Sequence, residues 1–193
     1  DKETGLASTP LSEIVRLLQT GSTAQAQTSG PMAEVVQHGT QYMNPADLQA
    51  MAVYLQSRAQ KISAADTPAA RAPVSLRVAE MGLKTYERHC AQCHGDQGQG
   101  VRTSSGQVAY PALEGNRAVQ LRDPTNLVQM VLYGGYAPAT AGHARPFGMP
   151  PFVLELDDRD IAAVLTHLRT QWGNQGGEVT ALQVNRIRAS QDH

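Results

Sequence analysis

Cysteine is almost missing from this sequence: 193 residues contain two. A structural zinc site takes four ligands, usually as two cysteine pairs, so that reading is weak. Aromatic residues are also scarce, at 5% against a hydrophobic fraction of 41%. An ordinary core built from this chain would be short of flat apolar mass. No block of Lys and Arg occurs and the formal net charge is −1, which argues against nucleic acid as a partner. No apolar run approaches the length of a membrane span. The sequence opens Asp1-Lys2-Glu3 with no signal peptide ahead of it, as expected of a mature protein or a fragment. Period-two alternation is absent too, so the expected fold class is all-α, in one domain or two small ones.

What is present is a single dense motif, Cys90-Ala91-Gln92-Cys93-His94. Two thiols three residues apart with an imidazole next to the second are the attachment signature of a c-type haem. On one helical turn Cys90 and Cys93 point the same way, and each can form a thioether to a haem vinyl. His94 then lies under the ring with Nε2 available to the iron. A thioredoxin-like dithiol would need a βαβ context, which the sequence lacks, and a simple disulfide would leave the adjacent histidine a coincidence. A buried porphyrin would also supply the missing flat apolar mass. Covalent haem is characteristically installed outside the cytoplasm, which points to the periplasm or the periplasmic face of the inner membrane.

Residues 1–10 read as irregular. A helix follows, with Thr9 or Ser12 as cap and Ile14, Val15, Leu17 and Leu18 on its apolar face, ended by Gly21. Residues 21–31 read as loop, then Met32 and a short apolar stretch at Val35-Val36. Asn44 and Pro45 open a second helix, with Leu48, Met51, Ala52 and Leu55 at helical spacing, fading near Lys61. Residues 62–75, rich in Ala, Pro and Ser, read as a linker. A helix from Leu76 to His89 delivers the haem motif, and glycines then mark a long loop holding the apolar island Tyr110-Pro111-Ala112-Leu113. Asp123-Pro124-Thr125 opens a helix stopped by Gly134-Gly135, residues 136–151 return to loop, and Asp157 caps the last main helix. A short helix is expected around residues 180–189.

An iron held by His94 needs a sixth ligand or an open site. Met149 is the candidate: it lies in a loop, is flanked by the stiffening Gly148 and Pro150, and is distant enough to reach the opposite haem face. Met51, Met81 and Met130 sit at helical positions and read as core. His89, His143 and His167 are rivals, His143 the better one because it shares the Met149 loop.

Residues 76–173 resemble the class I cytochromes c, in which a glycine and an aromatic at the spacing of Gly82 and Tyr86 let the first helix cross the last. More narrowly, they are similar to the last haem domain of the triheme cytochrome subunits of bacterial membrane-associated alcohol, gluconate and related dehydrogenases. The resemblance is carried by Cys90–Gly95, Gly98-Gln99-Gly100, Tyr110–Asn116, Asp123–Leu127, Tyr133–Gly135, Met149–Phe152 and Leu168–Trp172. It implies Cys90 and Cys93 as thioether sites, His94 and Met149 as the axial pair, and Pro111 and Leu113 beside the haem. The Pro111 carbonyl would then accept the ring N–H that orients His94.

Residues 1–61 resemble the back half of a further cytochrome c domain: Ile14-Val15 to Gly21 parallels Leu127-Val128 to Gly134, and Gly30-Pro31-Met32 parallels Gly148-Met149-Pro150. This segment lacks its own Cys-x-x-Cys-His, so Met32 is an orphan, through truncation of a longer multihaem chain or through loss of a haem; the intact look of residues 30–36 favours truncation. Such a piece, about 60 residues without its cofactor, can bury little surface. The resemblance implies an electron-transfer subunit with one covalent haem c and no catalysis of its own. Electrons would come from a quinoprotein, flavoprotein or molybdenum dehydrogenase and leave to quinone or a terminal oxidase, with any membrane association peripheral. The competing expectation is a haem enzyme or gas sensor with an open or labile sixth site. A further one is a structural module that merely docks a complex. Residues 174–193 read as a polar tail.

Overall fold

The computed structural model describes residues 6–59 and 73–190, which fall into two compact units. Most of the linker expected at residues 62–75 lies outside the described residues.

The first unit comprises the N-terminal helices and residues 136–147. Helix α1 (Leu11–Thr20) follows Pro10 with no side-chain cap, so neither Thr9 nor Ser12 plays the expected part. It buries Ile14 and ends at the left-handed Gly21. Helix α2 (Pro31–His38) starts on Pro31, so Met32 sits in the first turn of a helix, exposed, rather than in a loop. Proline at a helix start gives up only an N–H that has no intrahelical partner anyway, which is why Gly30-Pro31 can open a helix as well as a loop. Helix α3 (Pro45–Arg58) is capped by Asn44, whose side chain accepts from the Asp47 amide at 2.9 Å, and it ends at Arg58, short of Lys61. Ile14, Val36, Leu48 and Ala52 form the small core, and the Thr40 hydroxyl donates to the Leu18 carbonyl. Residues 136–147 are held in this unit through the amides of Ala139 and Ala141, which donate to the side-chain oxygens of Gln37 (3.0 Å) and Gln41 (3.2 Å). Gln41 in turn donates to the Ala139 carbonyl at 3.1 Å.

The second unit starts with α4 (Leu76–His89), capped by Ser75, and a single turn, α5 (Ala91–His94). A hairpin of β1 (Val101–Arg102) and β2 (Val108–Tyr110) follows, antiparallel, pairing Val101 with Tyr110 and Arg102 with Val108 across an irregularity. Strands this short cannot display a period of two, so the sequence pattern misses them. Then come α6 (Arg117–Gln120) and α7 (Thr125–Tyr133). The chain leaves this unit through β3 (Gly135–Tyr136) and re-enters through β4 (Gly148–Met149). It ends with α8 (Asp158–Thr170), started by a capping box of Asp157 and Asp160, and α9 (Ala181–Ala189), started by one of Thr180 and Gln183.

Every residue of α8 from Ile161 to Arg169 is buried, because α4 packs on one side and α9 on another. The crossing with α4 is set at Gly82, where a Cβ would stand 2.3 Å from the Ala163 carbonyl oxygen. Tyr86, Val128, Leu132, Ile161, Leu165 and Val184 form the centre of one hydrophobic core. The buried Arg169 donates to carbonyls: Nη1 to Val119 (3.0 Å) and Leu121 (2.6 Å), Nε to Gly177 (2.8 Å). The protein is thus mostly helical, as the sequence implies.

Candidate haem-binding site

The site is built where α4 runs out. Cys90 is its C-cap, with φ −120° and ψ −40°, and the chain re-enters a helical turn at once, so Cys90, Cys93 and His94 ride on one short rigid piece. The amides of Cys93 and His94 both donate to the Cys90 carbonyl, at 3.1 and 2.9 Å. Neither cysteine is in a disulfide, and both are half-buried. The Cys90 thiol is pushed up to about 12, first by burial and then by Cys93. A pocket that holds sulfur uncharged disfavours a thiolate ligand or nucleophile and suits a thioether.

His94 is fixed by its Nδ1, 2.8 Å from the Pro111 carbonyl oxygen. A carbonyl only accepts, so Nδ1 carries the proton and Nε2 keeps its lone pair. Burial lowers the His94 pKa, with the Pro111 bond pulling the other way, so the neutral ligating form is favoured. The loop that brings Pro111 here is tightly tied. Gly100 donates to the His94 carbonyl at 2.7 Å, and Leu113 and Glu114 donate to the Gly98 carbonyl at 2.7 and 3.0 Å. Trp172 lies over Gly98, where a Cβ would stand 2.6 Å from the indole, and Trp172 itself takes a positive φ of 53°. The buried Asn174 bonds the Leu113 and Leu168 carbonyls at 3.0 and 2.8 Å and accepts from the Gly115 amide at 2.9 Å.

Cys90, Leu113, Leu127 and Met149 are half-buried and pack against the same core, so each presents apolar surface that is covered on its core side. Met149 lies on β4, whose backbone runs against Gly134: a Cβ there would be 2.3 Å from the Met149 carbonyl oxygen. Of the rival ligands, His143 belongs to the first unit, in a turn paired with Thr140. His167 is buried between the rings of Tyr86 and Trp172 at 5.5 and 5.3 Å, as a packing residue. His89 faces the edge of Phe152 at 5.8 Å and pairs with Glu155 at 3.5 Å. Met51, Met81 and Met130 are half-buried rather than fully in the core. The residues present thus fit a covalent haem: uncharged sulfurs, an oriented imidazole with a free nitrogen, and an apolar edge.

Sequence reasoning missed Gly134 as more than a helix stop, Asn174 and Arg169 as loop anchors, and the grip of α9 described below. Their partners are backbone carbonyls, which leave no local pattern in sequence.

Comparison with known proteins agrees with this geometry. The cytochrome c family profile matches residues 79–172, from α4 to the tryptophan after α8. The chain is similar to the fructose dehydrogenase cytochrome subunit of Gluconobacter japonicus, 31% identical over 208 residues, covering 97% of this chain and 42% of that protein. It is similar to the cytochrome c subunit of the quinone alcohol dehydrogenase of Gluconacetobacter polyoxogenes, 33% identical over 195 residues, covering 97% of this chain and 41% of that protein. The chain therefore spans about two fifths of the length of these relatives. Cytochrome c-552 of Thermus thermophilus is 33% identical over 116 residues, with 56% of this chain covering 84% of that protein. With the Cys90–His94 motif, its oriented histidine and this similarity together, the chain belongs to the cytochrome c family, whose members carry covalently bound haem c.

Proposed function

We propose that this chain is the electron-carrying part of a cytochrome subunit in a bacterial dehydrogenase complex, holding one haem c between His94 and Met149. The observation that carries the reading is the His94–Pro111 bond, which orients the ring and leaves Nε2 with its lone pair, in a unit where half-buried Cys90, Leu113 and Met149 pack against one core. When bound, the haem supplies a one-electron ferrous–ferric couple. Cys90 and Cys93 anchor it through thioethers. His94 donates its Nδ1 proton to Pro111 and so stays oriented and electron-rich at Nε2. Met149 offers a thioether, a weak donor that raises the reduction potential. Leu113, Leu127 and the core behind them keep water from one side. With His94 and Met149 both given to the iron, the haem would serve electron transfer, and no catalysis of the chain's own is expected.

The names of the relatives support a dehydrogenase catalytic subunit as electron donor, and we assign that donor to the quinoprotein, flavoprotein or molybdenum type. We assign the acceptor as quinone or a terminal oxidase, and the location as the periplasm or the periplasmic face of the inner membrane. Residues 76–173 are the haem-binding domain, 1–61 a partial cytochrome c-like segment carrying Met32, 62–75 a linker and 174–193 a tail that includes α9.

Intact mass with a pyridine haemochrome assay tests this directly. One covalent haem per chain is expected, lost on Cys90→Ser with Cys93→Ser; two would mean that Met32 also meets a haem, and none would end the proposal. Slow or negligible binding of carbon monoxide to the ferrous protein at neutral pH is expected, and rapid binding would favour the sensor or enzyme reading.

A further inference from the structure

Met149 sits at the start of a stretch, residues 150–157, that has no helix or strand of its own. Something must fix that stretch if sulfur is to be held in place. From within, Phe152 is buried and its amide donates to the Val131 carbonyl at 3.0 Å. From outside, the grip comes from α9. The Arg188 guanidinium donates from Nη1 to the Val153 carbonyl at 2.6 Å and from Nη2 to the Leu156 carbonyl at 3.0 Å. Its Nε donates to Asp158 Oδ1 at 2.8 Å. The other oxygen, Asp158 Oδ2, accepts from Asn185 at 2.9 Å, one turn back on α9. One half-buried side chain thus ties both ends of the turn after the methionine to the first residue of α8.

The chemistry is specific to arginine. A planar guanidinium has five fixed donors and can serve two carbonyls and a carboxylate at once, while a lysine ammonium is a point charge on a flexible stem. Helix α9 also lies beyond the residues matched by the cytochrome c family profile, which stop at 172. It is attached through Val184, which is fully buried in the core.

We propose that α9 is a clamp on the methionine strand, with Arg188 as a positioning residue that keeps Met149 from leaving the sixth ligand position. This rests on the His94–Met149 reading above, and the test separates the two. In wild type, Arg188→Lys, Arg188→Ala, Asp158→Asn and the control Arg186→Ala, three properties are compared at one temperature. These are the sulfur-to-iron charge-transfer absorption of the ferric protein, the rate of carbon monoxide binding to the ferrous protein, and far-ultraviolet circular dichroism. Loss of a charge-assisted hydrogen bond should raise the population with methionine detached, and with it the carbon monoxide rate, by about tenfold or more. The charge-transfer band should weaken in parallel in the Arg188 and Asp158 variants, with helix content unchanged and Arg186→Ala like wild type.

Arg188→Lys keeps a cation beside Asp158, so it remains informative if Arg188→Ala does not fold. Folded Arg188→Lys and Asp158→Asn proteins with the wild-type band and rate would overturn the clamp alone. A wild-type protein that lacks the band would overturn the Met149 reading, and the clamp with it.

Discussion

His167 and Gly134 show how single residues in this protein are constrained by what surrounds them. The His167 ring is enclosed by Tyr86 and Trp172, and its Nε2 is buried without a hydrogen-bond partner. Burial lowers its pKa below the ordinary 6.5, with Glu87 opposing in part. The unfolded chain therefore takes up this proton first as pH falls. Stability attributable to His167 is complete above about 6.5 and is lost as pH drops below that, toward the lowered folded value. Urea titrations should show stability falling between pH 7.5 and 5.5 (~2 pH units of window) in wild type, and falling less in His167→Phe, which keeps the ring packing without the titration. An equal slope in both proteins would contradict this.

Gly134 has φ 68° and ψ −163°, a backbone region essentially reserved for glycine, and a Cβ would meet the Met149 carbonyl oxygen at 2.3 Å. Gly134→Ala should cost roughly 1–3 kcal/mol in denaturant unfolding of the haem-bearing unit. Because the clash is with the strand of Met149, the proposed ligand, it should also weaken the ferric charge-transfer band. Sequence marks Gly134 as a helix stop. Its second role depends on a strand that arrives after a detour through residues 136–147, and no local pattern encodes that.

At the scale of elements, the helices that begin on a cap were legible. Asn44, Asp123-Pro124-Thr125 and Asp157 each open the helix expected of them, with the Asp123 carboxylate accepting from both the amide (2.9 Å) and the hydroxyl (2.6 Å) of Thr125. Where the local cue is ambiguous, sequence and structure part: Gly30-Pro31 opens a helix rather than a loop, and β1 and β2 are too short to leave a periodic trace. The haem motif was legible because covalent attachment fixes residue types and spacing within one turn, whereas Arg188, Asn174 and Arg169 act on carbonyls that any sequence supplies.

The crossing of α4 and α8 is the element-level feature the family pattern did reveal, through Gly82 and Tyr86. In an exposed helix interior, replacing glycine with alanine gains about 1 kcal/mol. Here the added carbon would stand 2.3 Å from the Ala163 oxygen and 2.9 Å from the His167 Cβ, so the helices must part or bend. Overpacking of this kind costs about 1–3 kcal/mol, enough to outweigh the propensity gain. Gly82→Ala should therefore unfold at lower denaturant than wild type, while the same change at the exposed Gly142, which has open space around its Cβ position, should shift the midpoint little.

For the molecule as a whole, the consequential feature is that the chain is not cut into units by sequence order. Residues 136–147 lie between two segments of the haem-bearing unit yet belong to the first one, held there by Gln37 and Gln41. The first unit has a small core around Ile14, Val36, Leu48 and Ala52. The second has a larger core, and a covalent haem, although attached in the folded and unfolded chain alike, would stabilise it further through packing and iron ligation made only in the folded form. A single two-state transition is therefore not expected. Heating should first melt the helices α1 to α3, seen in circular dichroism, with the haem absorbance changing only at higher temperature. Hydrogen exchange gives the sharper check. The amides of Ala139 and Ala141 donate to side chains on or just after α2, so their protection should disappear together with that of α1–α3 amides such as Leu48. Protection that instead persists with the α8 amides would show that the excursion is stabilised by the haem-bearing unit. In Gln37→Ala with Gln41→Ala, Ala139 and Ala141 should exchange faster while Leu48 keeps its wild-type protection, because the substitutions remove the grip on the excursion and leave the buried side chains of the small core in place.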